Sequence, residues 1–391
     1  MFFLIIYTSV LLIISHIVSK QNIFSPATLT SALWLVCITL FYTLNHNLYP
    51  ITQKFTQNIT IWITTIWISS LSIQSFKFNK KTNLDASEFI RDIFLLISTI
   101  CFPFLFFWVQ DALAVGETNN WAQNLRLAAI GKSELGDDIY GGLSIIIWQI
   151  TYTVELIHFN KKKFWRTILP AIYILSFSFF TMSKTGFLTF FSATVTILFL
   201  KNRISTTKIC AGIFVFIIGL LILQSIRENT NFESSSSQTR FISLYLLSPI
   251  SAFETLTPRS SVHPGENVFR IIFAIKYKLG LSNIEPIEPI LEFVKVPMYT
   301  NTYTIMYPFY KDFGTSGVLV FGLILGTFWG YLFKKSIVGN TYCTIIFAYI
   351  SHMILMQFAG DFTFTNLTGL IKFMLIAALL FLPTKKLNTN L

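Results

Sequence analysis

Charge is what this chain has least of. Only 12% of its 391 residues are Asp, Glu, Lys or Arg, against about 25% in soluble domains. The hydrophobic share is 53% and Phe alone occurs 41 times, so there is too little polar surface to cover an apolar core in water. Cysteine is scarce as well. Cys37, Cys101, Cys210 and Cys343 all fall inside apolar stretches, without a CxxC pair or a neighbouring His, which excludes a zinc site or a redox motif built on them. The chain has no GxxxxGK[ST] loop, which excludes a phosphate-loop nucleotide engine. Its formal charge of +11 comes from short basic runs between apolar segments. Such runs do not form one basic face, which argues against nucleic acid as a partner.

Long apolar runs stand where charge is missing. They lie near 2–18, 26–43, 57–75, 90–109, 141–157, 166–182, 186–200, 209–225, 315–333, 341–359 and 366–383, and helices of this length cross a hydrocarbon core of about 30 Å. The expected fold is all-α: a polytopic integral membrane protein of about eleven transmembrane helices. The first run, Phe2 to Val18, has neither a basic start nor a small-x-small cleavage site, so it reads as a mature helix rather than a signal peptide.

Basic residues set the expected orientation. One set of connections holds Lys20, then Lys77, Lys80, Lys81 and Arg91, then Lys161, Lys162, Lys163 and Arg166, then Lys201, Arg203 and Lys208, then Lys334 and Lys335, then Lys385 and Lys386. The alternate short connections hold only Lys54 and Lys184. The positive-inside rule places the first set in the cytoplasm, with the N-terminus outside and the C-terminus inside. Three sections follow. Residues 1–225 carry spans 1–8 with an external loop at 110–140, residues 226–314 form a large external loop, and residues 315–391 carry spans 9–11 and a cytoplasmic tail.

Within the large loop, the serines Ser234 to Ser237 read as a flexible stretch. Phe241 to Leu256, broken by Pro249, is too short to span and reads as re-entrant or interfacial. Glu266 to Leu279 is amphipathic, and Trp121 to Ala129 in the other loop reads as a helix lying flat. The sequence shows no internal repeat of the kind that builds transporters.

The expected outer face gathers Lys132, Lys184, Arg227, Arg240, Arg259, Arg270, Lys276 and Lys278 beside apolar surface. A polyprenyl pyrophosphate needs that pairing of cation and apolar surface, and arginine binds phosphate oxygens as a planar fork. Contact with lipid headgroups or loop carboxylates is the plainer reading of each cation. Arg227 directly follows the eighth span, and Lys184 sits in a tight turn between two long helices. Asp312, at the mouth of the ninth span, is either a general base, with Glu228 and Glu254 behind it, or a helix N-cap. Tyr303, Tyr307 and Tyr310 are placed to stack on sugars or to form an interfacial aromatic belt. His263 and the pair Asp137-Asp138 read as solvated loop residues, and Asp361 and Lys372 as an ion pair.

The segment NTYTIMYPFYKDFGTSGVLVFGLILGTFWGYLF at Asn301 to Phe333, with SPATLTSALWL at Ser25 to Leu35, SKTGFLTFF at Ser183 to Phe191 and YLLSPISAFETL at Tyr245 to Leu256, resembles the oligosaccharide repeat-unit polymerases of the Wzy type. That resemblance implies an inverting glycosyltransferase without metal or cofactor. It would move a growing glycan from one polyprenyl pyrophosphate to a fresh lipid-linked repeat unit. Its place would be the bacterial inner membrane, with the active site facing the periplasm, and a chain-length regulator, a flippase and membrane lipids would be its partners. The family's external arginines match Arg227 and Arg240 by placement. On this reading Arg240 and Asp312 are catalytic, Arg227, Lys184 and Arg270 bind pyrophosphate, and Asn301, Tyr303 and Tyr310 bind glycan. An O-antigen ligase and a flippase or transporter for lipid-linked oligosaccharide are the alternatives, with a structural membrane subunit behind them.

The orientation is tested with phosphatase and β-galactosidase fusions after Lys208 and within Ser234 to Ser237. The phosphatase should be active at the serines and the galactosidase after Lys208. The reverse pattern sinks the topology.

Overall fold

The computed structural model describes residues 2–20, 22–78, 85–116, 118–129, 139–209 (139–141 by backbone alone), 211–213, 216–219, 243–288 and 291–382. The described chain is almost wholly helical. Its α-helices are α1 (Phe2–Val18), α2 (Pro26–Thr43), α3 (Gln53–Ser75), α4 (Glu88–Ala114), α5 (Trp121–Ala129), α6 (Ile139–Ile157), α7 (Trp165–Phe180), α8 (Lys184–Leu200), α9 (Ser248–Glu254), α10 (Arg270–Lys278), α11 (Tyr307–Ile337), α12 (Thr341–Leu355) and α13 (Leu367–Leu379). A further apolar helix is described in part within Thr206–Gly219. A π-helical turn at Ser243–Leu247 leads into α9, and a short antiparallel hairpin pairs β1 (Val294–Lys295) with β2 (Tyr299–Thr300).

Among the described residues helices stand at the expected apolar runs, the eighth being described only in part and only as far as Gly219, and the last running on as a turn to Phe381. The ninth run begins where expected, because a break at Gly314 separates it from a short helical arm, Tyr307 to Phe313, ahead of it. Pro26–Thr43, Glu88–Ala114 and Tyr307–Ile337 are long and apolar enough to cross a membrane, and several shorter apolar helices accompany them. The apolar surface is not hidden in the protein: Leu96 is 60%, Ile100 57% and Phe107 60% exposed along α4. Such a surface suits hydrocarbon as its solvent.

The chain divides into two compact units. The first comprises Met1–Asn79, Glu233–Lys335 and Met353–Leu370, and the second Lys80–Phe232, Ser336–His352 and Ile371–Leu391.

In the first unit, α3 is unusually rich in hydroxyls for an apolar helix, and most fold back on their own backbone. Thr60 and Thr65 donate to Thr56 O and Trp62 O at 2.7 and 2.9 Å, and Ser69 donates to Thr65 O at 2.6 Å. This leaves a face of small groups, against which α11 lays Gly322, Gly326 and Gly330. A Cβ added at Gly326 would lie 2.9 Å from Ile66 Cα, and one at Gly330 2.7 Å from Ser70 Cα. Backbone meets backbone there, the contact that glycines spaced by four allow between apolar helices. The buried Gln357 ties the unit together. Its Oε1 accepts from Trp34 Nε1 (3.3 Å) and Trp62 Nε1 (2.8 Å), its Nε2 donates to Thr30 Oγ1 and Ile354 O (2.8 and 2.9 Å), and its backbone oxygen accepts from Ile305 N at 2.8 Å.

In the second unit, α4, α6 and α7 are joined by charge centred on the buried Glu155 and Arg166, with Asp92 at its exposed edge. Arg166 donates Nε and Nη2 to the two oxygens of Glu155, both at 2.9 Å, and Nη1 to Asp92. Arg91 Nη1 stands 3.5 Å from Glu155. Two of the arginines in the expected cytoplasmic set are therefore bound inside the protein. Removing one partner of such a buried cluster typically costs about 3–5 kcal/mol.

Gly326→Leu should force α11 off α3 and destabilise the protein by about 2 kcal/mol or more, as overpacked contacts do. Gly142→Ala, where nothing lies within 4 Å of an added Cβ, is the neutral control. Thermal unfolding in detergent checks both. An unchanged midpoint for Gly326→Leu refutes the close approach.

Candidate functional site

The first unit carries most of the described candidate residues, on the segments that lead into α11 and on its first turns. Gly314 makes this arrangement possible. Its φ of 66° and ψ of −153° interrupt the helix, and that combination is open essentially to glycine alone. The short helical arm Tyr307 to Phe313 is thereby set off from the long apolar part of α11.

Asp312 sits on this arm, 5% exposed. Its carboxylate gathers the loop before α10. Ser261 Oγ donates to Oδ1 at 2.5 Å and Asn267 Nδ2 donates to Oδ1 at 2.6 Å, while the backbone amides of Asn267 and Val268 reach Oδ2 at 3.1 and 2.9 Å. The helix-cap reading is half right: the carboxylate caps amides, but those of the facing loop rather than its own helix. Other bonds clamp the same loop. Arg259, at a left-handed φ of 54°, donates its amide to Tyr310 O at 3.3 Å, and Glu266 Oε1 accepts from Val262 N at 3.0 Å. Gly265, at φ 87°, makes the turn, and the Phe269 ring meets Phe313 and Phe321 edge to face.

The tyrosines are packed into protein. Tyr303, Tyr307 and Tyr310 are 6%, 8% and 5% exposed. The rings of Tyr303 and Tyr307 lie 4.7 Å apart, and Tyr310 lies 4.9 Å from Phe253. Little of these rings is left for stacking on a sugar. The Tyr303 hydroxyl donates to Glu292 O at 3.3 Å, and burial, with Tyr307 and Glu292 nearby, pushes its pKa up to about 12. Asn301 is half-buried directly after β2. Lys311 donates its ammonium to the Tyr307 hydroxyl at 3.0 Å and lies 5.4 Å from that ring's centre.

The remaining candidates are dispersed. Glu254 receives the amide and hydroxyl of Thr52, both at 2.7 Å, and Lys54 is bonded to the carbonyls of Glu254 and Leu256; both are thus engaged in holding the end of α9. Arg270, half-buried at the start of α10, has its pKa lowered by burial, with Glu288 opposing. Lys184 belongs to the second unit, opens α8 behind the cap Ser183, and already holds an interaction. Asp361, buried and expected to pair with a lysine, instead takes the amides of Thr363, Phe364 and Thr365 at 3.0 to 3.2 Å. Arg227, Arg240, Lys132, Glu228, the Asp137-Asp138 pair and Ser234 to Ser237 lie outside the described residues. Among the described residues no group of three or more His, Cys, Asp or Glu could hold a metal ion.

Sequence reasoning passed over two features here. Lys311 directly precedes Asp312 and belongs with the cations of this region. Gly322, Gly326 and Gly330 repeat every four residues inside an apolar run, which is the signal for close helix packing.

Apolar helices organised in this way define the class, a multi-pass helical membrane protein. Within that class the chain resembles a particular kind of protein. It is 27% identical over 199 residues to an O-antigen polymerase of Shigella dysenteriae, a match covering 48% of this chain and 50% of that protein. The chain thus matches about half the length of this curated relative. No family model and no solved structure matches.

Asp312→Ala should strip four donors, three of them from the buried Asn267 and Val268, of their acceptor and destabilise the protein by about 3 kcal/mol, since each unsatisfied buried group costs about 1–3 kcal/mol. Limited proteolysis should cut between Arg259 and Phe269. Asp312→Asn should rescue little, because an amide nitrogen then faces other donors. Loss of turnover by Asp312→Asn with unchanged stability would restore the carboxylate as a general base.

Proposed function

We propose that this chain is an O-antigen or related polysaccharide polymerase, an inverting glycosyltransferase acting on polyprenyl-pyrophosphate-linked oligosaccharide. The similarity to the O-antigen polymerase of Shigella dysenteriae carries this reading. The apolar all-helical chain supports it, because a substrate with an isoprenoid tail is met within the bilayer. We place the protein in the bacterial inner membrane with about eleven spans, the N-terminus outside, and the reaction at the periplasmic face under the 226–314 section.

An acceptor hydroxyl of a fresh repeat unit attacks the anomeric carbon of the growing glycan. The new C–O bond forms as the bond from that carbon to the pyrophosphate oxygen breaks, and the polyprenyl pyrophosphate leaves with the bonding electrons. The hydroxyl proton passes to a base. The leaving charge needs cations held in a fixed position, and Arg227, Arg240, Arg270 and Lys184 are the proposed set. Asn301, with the hydroxyl edges of Tyr303 and Tyr310, is the proposed glycan contact. Asp312 is the proposed base only if a substrate can displace the loop donors it now holds. A chain-length regulator and a flippase are the expected partners.

Removal of the gene should leave the host's lipid core carrying one repeat unit and no long ladder on a glycan gel, and ladder synthesis by the purified protein should continue in EDTA. A strain lacking every repeat points to a ligase or flippase instead. Turnover lost in EDTA and restored by manganese refutes the metal-free mechanism.

A further inference from the structure

The hydrogen bond between Lys311 and Tyr307 has only one possible direction. An ammonium has no lone pair, so Nζ donates and the phenol oxygen accepts, at 3.0 Å. The phenol proton must then point elsewhere. Among the described residues no acceptor takes it, although Tyr307 is only 8% exposed. Two ammonium protons are left over as well, and among the described residues no carboxylate lies within 4.0 Å of Nζ; Glu292 and Glu266 act on it only at longer range. The neighbouring carboxylate of Asp312 is taken up by its four loop donors. One O–H and two N–H donors with a net positive charge therefore converge at the base of the α11 arm, and nothing described there accepts from them.

Donors in excess around a fixed positive charge are the complement of an oxyanion. The i, i+4 spacing of Tyr307 and Lys311 sets both groups on one face of the arm, and the break at Gly314 keeps that arm apart from the apolar part of the helix. Carbonyl partners would have closed the site, as those of Glu254 and Leu256 close Lys54.

We propose that Tyr307 and Lys311 form a diphosphate-binding pair, in which the phenol O–H and the ammonium donate to oxygens of a polyprenyl diphosphate. The pair gives the polymerase reading a described oxyanion site and rests on that reading for the identity of the lipid. A phospholipid phosphate offers the same oxygens, so the test separates the two sources.

The full-length protein is reconstituted in lipid nanodiscs, and binding of a fluorescent polyprenyl diphosphate is titrated. Tyr307→Phe removes one oxygen and should weaken binding by about 10- to 100-fold, as loss of a hydrogen bond to a charged group does. Lys311→Met should weaken it similarly, Lys311→Arg should retain most of the affinity, and the double variant should lose less than the product of the single losses because the two act as a unit. Inorganic pyrophosphate should compete, and vesicles of phosphatidylglycerol should not at equal phosphate. If Tyr307→Phe binds like the parent with an unchanged melting temperature, the pair is not the site. If phosphatidylglycerol competes as well as pyrophosphate, the pair is a headgroup site and the proposal fails. Should Lys311→Met fail to fold, Tyr307→Phe decides alone. Binding is read without turnover, so normal binding beside intact ladders in these variants overturns the pair and leaves the polymerase reading standing. Diphosphate binding that depends on the pair, in a protein whose loss leaves ladders intact, overturns that reading instead.

Discussion

A polar atom that cannot reach water has to find its partner inside the protein, and Gln357 shows how much of this chain follows from that constraint. Its side-chain amide satisfies two tryptophans and a threonine from α2 and α3, and its carbonyl holds the amide of Ile305 just before α11. An aliphatic side chain there would leave both indole N–H groups buried without acceptors, at about 1–3 kcal/mol each. Most hydroxyls of α3 meet the same demand by bonding to their own helix, which frees a smooth face for the glycines of α11. Close helix packing and internal satisfaction are in this sense one solution.

The constraint also sorts the charged residues by task. Glu155 with Arg91 and Arg166, Glu254 with Thr52, and Asp361 with three amides all have their charge matched by protein groups. Asp312 belongs with them, since its four donors fix the loop that leads to α10. Lys311 differs from these groups, because its one described hydrogen bond goes to a phenol that must itself donate onward. A surplus of donors next to a carboxylate already taken up marks the place in the described first unit where an anion is complementary.

Much of the architecture was legible in the sequence because apolar runs leave a strong one-dimensional signal. The runs at 2–18 and 26–43 match α1 and α2 end to end, and Trp121 to Ala129 matches α5. Asp312 was legible as a residue that caps amides, but not as one that caps amides some 45 positions away. Tyr303 and Tyr310 were legible as aromatics at the mouth of a helix. Their burial against Tyr307 and Phe253 depends on segments distant in sequence, so the pattern could not show that their ring faces are covered.

The sequence by itself determined the class of solvent, the helical nature and placing of the apolar runs that the structure describes, and the pool of cations and carboxylates available for chemistry. Each of these depends on composition within a window of some twenty residues, which is all that crossing a bilayer requires. Only the tertiary structure decided which of those charges are matched. Whether Asp312 is a base or a brace, and whether Lys311 is closed or open, depends on donors and acceptors brought from Ser261, Asn267 and Val268 and from the fourth residue back along one helix. A hydrogen bond acts over about 3 Å, and at that range proximity in space, not along the chain, assigns the partner.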